Sequence, residues 1–139
     1  MPRFTDFAGF MAHLDQRGLF HMDLGLSRME TSLAGLGVTR LPCPVVQIVG
    51  TNGKGSTAAI LAGIAQAHGL DVGLYTSPHL TDVRERILMN GEMLAPALWT
   101  ELANAIWEQG GEALTYFEYL TVLAALAFAR QGVDLALFE

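Results

Sequence analysis

The segment from Val45 to Thr76 constrains the fold more than any other part of the sequence. It begins with the β-branched run Val45-Val-Gln-Ile-Val49, and the glycine-rich loop Gly50-Thr-Asn-Gly-Lys-Gly55 follows directly. An alanine-, isoleucine- and leucine-rich stretch from Ser56 to about His68 predicts a helix, and Val72 to Thr76 predicts a second strand. Strand, loop, helix and strand in this order are typical of a βαβ unit. We therefore expect two parallel strands with a right-handed crossover, and we expect the first strand to be buried.

The residues before this unit predict two short helices. Residues 4–16 carry apolar side chains at helical spacing, and residues 17–26 form an irregular, glycine-containing segment. Ser27-Arg-Met-Glu30 has the pattern of a capping box and predicts the start of a helix that ends at Gly35 or Gly37.

The residues after the βαβ unit predict a hairpin, two helices and a third strand. Asn90-Gly91 suits a type I′ turn between two short strands, and Pro96 suits the first position of a helix that runs to about Gln109. Thr115-Tyr-Phe-Glu118 is a second capping-box pattern, which opens an almost wholly apolar and therefore buried helix. Residues 133–138 predict a third strand. The fold class is α/β, a phosphate-loop-type three-layer domain with a mainly parallel sheet and a small β-hairpin.

Composition narrows the class of protein. The chain has 139 residues, of which 51% are hydrophobic, so a sizeable core is expected. No apolar run approaches the roughly 18 residues of a membrane span, and the first residues lack the apolar core of a signal peptide. Cys43 is the single cysteine, and the formal net charge is −6. These features predict a cytoplasmic protein that binds neither nucleic acid nor membrane.

The loop between the first strand and its helix has the chemistry of a phosphate site. Glycines allow backbone N–H groups to face a phosphate, and a helix N-terminus adds partial positive charge. Lys54 is the only lysine in the chain, and it lies inside this loop. The alternative is a glycine-rich turn that carries a lysine by chance. The standard phosphate-loop spacing is not met, because Ile48 stands where a glycine is expected and Gly55 follows the lysine.

The sequence Gly50-Thr-Asn-Gly-Lys-Gly-Ser56 resembles the ATP-binding loop of the Mur ligase superfamily. Its Lys-Gly-Ser ending is similar to the folate branch of that superfamily, the dihydrofolate synthase/folylpolyglutamate synthase family. The resemblance runs from about residue 13 to the end of the chain. It includes four further motifs in the same order, namely Asp23-Leu-Gly-Leu with Arg28, Tyr75-Thr-Ser-Pro-His-Leu80, Glu85-Arg-Ile with Asn90-Gly91, and Leu114-Thr-Tyr-Phe-Glu118.

The resemblance implies a set of site residues. ATP phosphates would contact Gly53, Lys54, Gly55 and Ser56, with Lys54 as the catalytic cation. Magnesium would bind Ser77 and Glu139, which offer the hard oxygen ligands that this ion prefers. A pteroate or folate would contact two stretches, consisting of His21, Met22, Asp23 and Leu24, and of Leu114, Thr115, Tyr116 and Phe117.

The same residues have plainer readings when the resemblance is set aside. Thr76-Ser-Pro78 reads as a turn that ends a strand, Asp23 as a turn residue, and Glu139 as a terminal acid. Tyr116 and Phe117 belong to a capping box that opens a buried helix, although their rings could also stack on a planar pterin. Solvated side chains are the commoner reading of Arg84 and Arg86, and a structural role is the commoner reading of His79.

The reaction that the resemblance implies is ATP-dependent formation of an amide through an acyl phosphate. L-glutamate would be added to dihydropteroate, to reduced folates or to both. Residues 1–139 would be the N-terminal portion of the ATP-binding domain, with residues 1–41 as a helical substrate-loop segment and without the C-terminal glutamate-binding domain. We expect this portion to be inactive alone and the full-length protein to be a monomer. The alternatives are another Mur-type ligase and a non-catalytic nucleotide-binding module.

Overall fold

The computed structural model describes residues 1–19 and 21–139. The α-helices are α1 (Phe7–Arg17), α2 (Ser27–Gly35), α3 (Lys54–Ala67), α4 (Pro96–Glu108) and α5 (Tyr116–Gln131). The strands are β1 (Val45–Gln47), β2 (Val72–Tyr75), β3 (Ile87–Met89), β4 (Glu92–Met93) and β5 (Leu135–Phe138). Two short 3₁₀ helices span Val83–Arg86 and Gly111–Ala113. No helix in the described ranges has the length and apolar character needed to cross a membrane.

The chain forms two compact units. The first unit consists of Met1–Arg40 and Ala95–Ala127 and contains α1, α2, α4 and most of α5. The second unit consists of Leu41–Leu94 and Phe128–Glu139 and contains α3 and the β-sheet.

The sheet of the second unit confirms the predicted α/β class. Its strand order is β1-β5-β2-β3-β4, with β5 parallel to both β1 and β2. The hairpin strands β3 and β4 extend the sheet in antiparallel orientation beyond β2. The strands of the predicted βαβ unit are therefore parallel, as expected, but β5 lies between them. Because β5 is the central strand of the parallel part, the residue after it lies at the carboxyl edge shared with β2.

Both faces of this sheet carry apolar side chains. On one face, α3 contributes Ala58, Ala62 and Ala65 to a buried cluster with Val72, Leu74 and Leu137. Successive strand residues point to opposite faces, so Gly73 and Phe138 face the other way. There the Phe128 ring packs against Phe138 at a centroid distance of 5.7 Å and lies directly over Gly73. The second unit therefore has the layered arrangement that the sequence predicted.

The expectation that β1 is buried is wrong. Val45 is 50% exposed and Val46 is 37% exposed. In the described part of the chain, β1 pairs only with β5 and forms one edge of the sheet. Apolar β-branched residues favour a strand, but they do not determine whether a neighbour covers it.

The hairpin forms as the sequence predicted. Asn90 and Gly91 have φ values of 52° and 79°, which are the two positive values that a type I′ turn requires. The Asn90 side chain also ties the turn to the sheet, because its Oδ1 accepts from the Val72 N–H at 2.9 Å.

The core of the first unit is aromatic. Phe10 and Trp99 are fully buried, and the Tyr119 hydroxyl donates to the Ala103 carbonyl at 2.7 Å. The segment before α1 is held by Asn104, whose side chain accepts from the Phe4 N–H and donates to the Phe4 carbonyl, both at 2.8 Å. Helix α1 begins at Phe7, three residues later than expected, because the Asp6 side chain caps it.

The two predicted capping boxes have different outcomes. The first box is wrong, because Ser27 is already helical and the residue before it, Leu26, caps α2 without a side-chain hydrogen bond. The second box is confirmed. The Thr115 N–H donates to Glu118 Oε1 at 2.9 Å, and the Glu118 N–H donates to Thr115 Oγ1 at 3.3 Å.

Candidate functional site

The glycine loop delivers backbone donors to the start of α3. Gly53 is the N-cap residue in the left-handed region (φ 75°), a conformation that favours glycine. The helix begins at Lys54, two residues earlier than expected, and the Thr57 N–H donates to the Gly53 carbonyl at 3.0 Å. The N–H groups of the first helical turn have no partner within the helix. The loop therefore presents donors and the positive end of the helix dipole at one point.

Lys54 adds a full positive charge at this point. Its side chain is half-buried and runs past Gly50, where a Cβ would lie 3.8 Å from Lys54 Cγ. The ion pairs found in residues 1–19 and 21–139 do not involve Lys54. Lys54 therefore adds a charged side chain at the residue that begins α3, where the helix dipole already favours an anion.

Ser77 and Glu139 meet at the carboxyl edge of the sheet. Tyr75 of β2 pairs with Phe138 of β5, and the Glu139 N–H donates to the Tyr75 carbonyl at 2.9 Å. The Ser77 N–H approaches Glu139 Oε2 at 3.4 Å. A Cβ added to Gly55 would lie 4.0 Å from the same carboxylate oxygen. The structure therefore brings the loop, Ser77 and Glu139 together.

This donor set fits a hard divalent cation in part. A carboxylate and a hydroxyl are oxygen ligands of the kind that magnesium takes, and magnesium usually keeps several waters and binds substrate phosphates. Across the described residues, no group of three or more His, Cys, Asp or Glu side chains is placed to hold a metal ion. Ser77 and Glu139 would thus supply only part of the coordination shell.

The loop after β2 contains an arginine that is buried, contrary to the sequence-based expectation. Arg86 is only 4% exposed, and its Nε donates to His79 Nδ1 at 2.9 Å. The reading of Arg86 as a solvated hairpin residue is therefore wrong, because the 3₁₀ helix before β3 turns this side chain inward. A sequence signal for that turn was present and missed. Asp82 and Glu85 have capping-box spacing, and the structure forms this box.

A separate cavity of about 520 Å³ lies in the first unit. Its walls come from the irregular segment between α1 and α2, from α2, and from the start of α5; they include His21, Met22, Asp23, Leu24, Met29, Thr115, Phe117 and Glu118. Volume and lining are those of a small-molecule site, since such sites are mostly apolar with a few placed polar groups.

The structure brings together most of the predicted pteroate contacts, but two lie elsewhere. Leu114 is fully buried and Tyr116 is 3% exposed, and neither lines the cavity. Phe117, by contrast, is half-exposed at the cavity wall. Neighbouring helical residues point in different directions, so a contiguous run at a helix start does not face one ligand. Leu114 and Tyr116 therefore lie behind the cavity wall, and their direct contact with a ligand stays a prediction.

Arg28 links two walls of this cavity. Its Nε donates to Glu118 Oε1 at 3.1 Å, and its Nη2 donates to Glu118 Oε2 at 2.9 Å. The same Nη2 donates to the Asp23 carbonyl at 2.6 Å, and Nη1 lies 3.3 Å from Asp23 Oδ2. Arg28 belongs to a motif that is visible in the sequence, but the network is not, because Glu118 is 90 residues away in the chain.

The network governs the ionisation of Glu118. Burial raises the pKa of Glu118, but the hydrogen bonds from Arg28 and from the Thr115 N–H outweigh it, and the pKa lies below its usual value of 4.5. A carboxylate with a lowered native pKa contributes stability that is present above its unfolded pKa and is lost as the pH falls through the native pKa.

We therefore expect the free energy of unfolding to fall more steeply below about pH 4.5 in the native protein than in the Glu118→Gln variant. Urea unfolding of the complete protein over a pH series measures this difference. Glu108→Gln, an exposed change at the end of α4, is the matched control and should keep the native slope. Parallel slopes for the native protein and Glu118→Gln would contradict the assigned network.

A glycine-rich loop between a parallel strand and a helix, with an acid at the tip of the adjacent strand, defines a phosphate-loop-type α/β domain. No protein-family model matches the sequence. The chain is 41% identical over 144 residues to a probable bifunctional folylpolyglutamate synthase/dihydropteroate synthase of Halobacterium salinarum, covering 99% of this chain and 17% of that protein. It is 37% identical to the Escherichia coli dihydrofolate synthase/folylpolyglutamate synthase, covering 95% of this chain and 32% of that protein.

Solved structures agree with these relatives. E. coli FolC in complex with DHPP and ADP superposes with a TM-score of 0.90 at 35% identity, over 100% of this chain and 34% of that chain. The bifunctional folylpolyglutamate synthase/dihydrofolate synthase from Yersinia pestis, complexed with AMPPNP and Mn, gives 0.89 at 31% identity, over 100% and 34%. The chain belongs to the dihydrofolate synthase/folylpolyglutamate synthase family of the Mur ligase superfamily. It spans about a third or less of the length of these relatives.

Proposed function

We propose that the complete protein is an ATP-dependent ligase that adds L-glutamate to dihydropteroate, to reduced folates or to both. The observation that carries the proposal is the convergence of the Lys54 loop, Ser77 and Glu139 at one edge of the sheet, in a chain of this family. Residues 1–139 would form the N-terminal portion of its ATP-binding domain, with residues 1–41 as a helical substrate-loop segment. The glutamate-binding domain would lie outside this chain.

The ATP phosphates would bind at the start of α3. Backbone N–H groups at Gly53, Lys54, Gly55 and Ser56 are placed at a helix N-terminus, where anions are stabilised. Lys54 would offset the charge that develops on the transferring phosphoryl group. A magnesium ion held by Ser77 and Glu139 would screen the phosphate oxygens.

The acceptor would bind in the first unit's cavity. Its apolar wall includes Met22, Leu24 and the Phe117 ring, which suit a flat aromatic heterocycle. Asp23 and Thr115 add polar atoms to the same wall and would fix its orientation.

The proposed reaction has two steps. An acceptor carboxylate oxygen attacks the γ-phosphorus of ATP, the bond to the β–γ bridging oxygen breaks, and an acyl phosphate and ADP form. The amine of L-glutamate then attacks the acyl carbon, phosphate leaves from the tetrahedral intermediate, and the amine loses a proton. Phosphorylation is needed because a carboxylate has no adequate leaving group. No step requires a covalent intermediate with this chain.

ADP formation by the complete protein tests the proposal. We expect ADP release that requires both L-glutamate and either dihydropteroate or a reduced folate, with loss of the signal when either is omitted. Comparing dihydropteroate with a reduced folate separates first addition from chain extension. Tight ATP binding without turnover would instead favour a nucleotide-binding module. Turnover with a different acid or amine would favour another Mur-type ligase.

A further inference from the structure

We propose that Arg28 is a positioning residue that sets the shape of the cavity by holding the Asp23 segment against the first turn of α5. This inference rests on the proposed function, because it assigns the cavity to the pteroate or folate acceptor. Arg28 itself does not line the cavity, whereas Asp23, Thr115 and Glu118 all do. The arginine therefore acts on the ligand through the residues that it holds.

Arg28 contacts residues of two walls of the cavity. On one side, its Nε and Nη2 engage both carboxylate oxygens of Glu118, at 3.1 and 2.9 Å, in a bidentate pair. On the other side, it binds the Asp23 carbonyl at 2.6 Å and lies near the Asp23 carboxylate at 3.3 Å. One guanidinium thus joins an irregular segment to a helix start.

Burial shows which side of the network is fixed. The side chain of Glu118 is 8% exposed, whereas that of Asp23 is 60% exposed. Glu118 is also held by the Thr115 N–H through the capping box. The helix side is therefore anchored, and the Asp23 segment depends on Arg28 for its place. Met22 and Leu24, the neighbours of Asp23, are 80% and 88% exposed and have little packing of their own.

Lysine cannot replace arginine in this arrangement. Its ammonium group is a single charged centre and lacks the planar guanidinium that donates hydrogen bonds to two carboxylate oxygens and a carbonyl at once. Arg28→Lys keeps the positive charge and much of the side-chain length. The variant therefore tests the effect of the planar guanidinium geometry separately from that of the charge.

The test is steady-state kinetics of the complete protein with Arg28→Lys. We expect KM for dihydropteroate to rise about 10- to 100-fold, with kcat and KM for ATP within about threefold of native values, because the wall is displaced but the phosphate loop is not. Arg84→Lys is the matched control. Arg84 also pairs with a carboxylate, Asp82, at 2.8 Å and has a side-chain exposure of 24% against 20% for Arg28, but it lies in the second unit. This control should leave KM for dihydropteroate unchanged.

A second variant keeps the test decisive if Arg28→Lys does not fold. Glu118→Gln removes the charge that pairs with Arg28 but keeps an oxygen that can accept from the Thr115 N–H. Like Arg28→Lys, this variant should raise KM for dihydropteroate. In the double variant with Arg28→Lys and Glu118→Gln, the rise in KM for dihydropteroate should be smaller than the product of the two single rises, because both substitutions break one network. Unchanged KM in both variants, or a fall in kcat with KM unchanged, would overturn the positioning role. A native protein that does not turn over dihydropteroate or a reduced folate would overturn the proposed function instead.

Discussion

Replacing Lys54 by methionine in the complete protein is expected to lower kcat/KM for ATP-dependent ligation by about 100- to 1,000-fold. Lys54 is the first residue of α3 and is half-buried beside the glycine loop, and no ion pair in the described residues involves it. Removing a preorganised charge from such a position removes stabilisation of the transferring phosphoryl group. Methionine is a good helix former of similar length, so the fold should persist.

Arg40→Met is the matched control for this experiment. It removes one positive charge from an exposed residue of the first unit and should leave kcat/KM within about twofold. Initial rates of ADP formation at varied ATP concentration measure both variants. If Lys54→Met retained activity within threefold of the native protein, the phosphate-loop assignment would be wrong.

Replacing Gly73 by valine is expected to destabilise the protein by about 3 kcal/mol, at the upper end of the range for overpacked cores. A Cβ at Gly73 would lie 2.4 Å from Phe128 Cδ1, and the Phe128 ring is itself 1% exposed and packed against Phe138. The ring is buried, and Gly73 lies on β2 between β3 and β5, where it pairs with Met89 and Ala136. The cost is steric rather than a matter of backbone conformation.

Gly63→Ala supplies a contrast on the neighbouring helix. Gly63 lies within α3 with nothing within 4 Å of its would-be Cβ, so alanine should stabilise the helix by about 0.5–1 kcal/mol. Thermal and urea unfolding of the complete protein compare the two. Combining Gly73→Val with Phe128→Leu should recover part of the stability lost in Gly73→Val, since leucine leaves room beside the new side chain. Equal stability of Gly73→Val and the native protein would contradict the close packing of the Phe128 ring over Gly73.

The capping boxes show how far local patterns carry a prediction. Ser27 to Glu30 and Thr115 to Glu118 have the same spacing, yet only the second forms hydrogen bonds between its members. Glu118 is fixed by Arg28 from a distant part of the chain, while Leu26 already has helical backbone angles and places Ser27 inside α2. A spacing rule describes what a helix start can do, and the neighbours determine whether it does so.

The candidate site likewise contains residues that the sequence could predict and residues that only packing could place. The glycine loop, Lys54 and the flanking strand and helix could be found from the sequence because their chemistry depends on residues that are adjacent in the chain. Leu114 and Tyr116 could not be separated from Phe117, since all belong to one short run and only packing decides which side chain faces the cavity. The capping-box spacing of Asp82 and Glu85 indicates the turn before Arg86, but the burial of Arg86 against His79 depends on the packing of that turn and could not be predicted from the spacing.

The sequence by itself determined the order and type of most elements, the hairpin turn at Asn90 and Gly91, and the phosphate loop. These are set by periodicity, glycine conformations and spacing, which act over a few residues. Only the tertiary structure decided that β5 lies between β1 and β2, that β1 is an exposed edge, and that Arg28 joins Asp23 to Glu118. Strand order and charge networks depend on which distant residues bury surface together, and that free energy belongs to the assembled fold rather than to any segment of it.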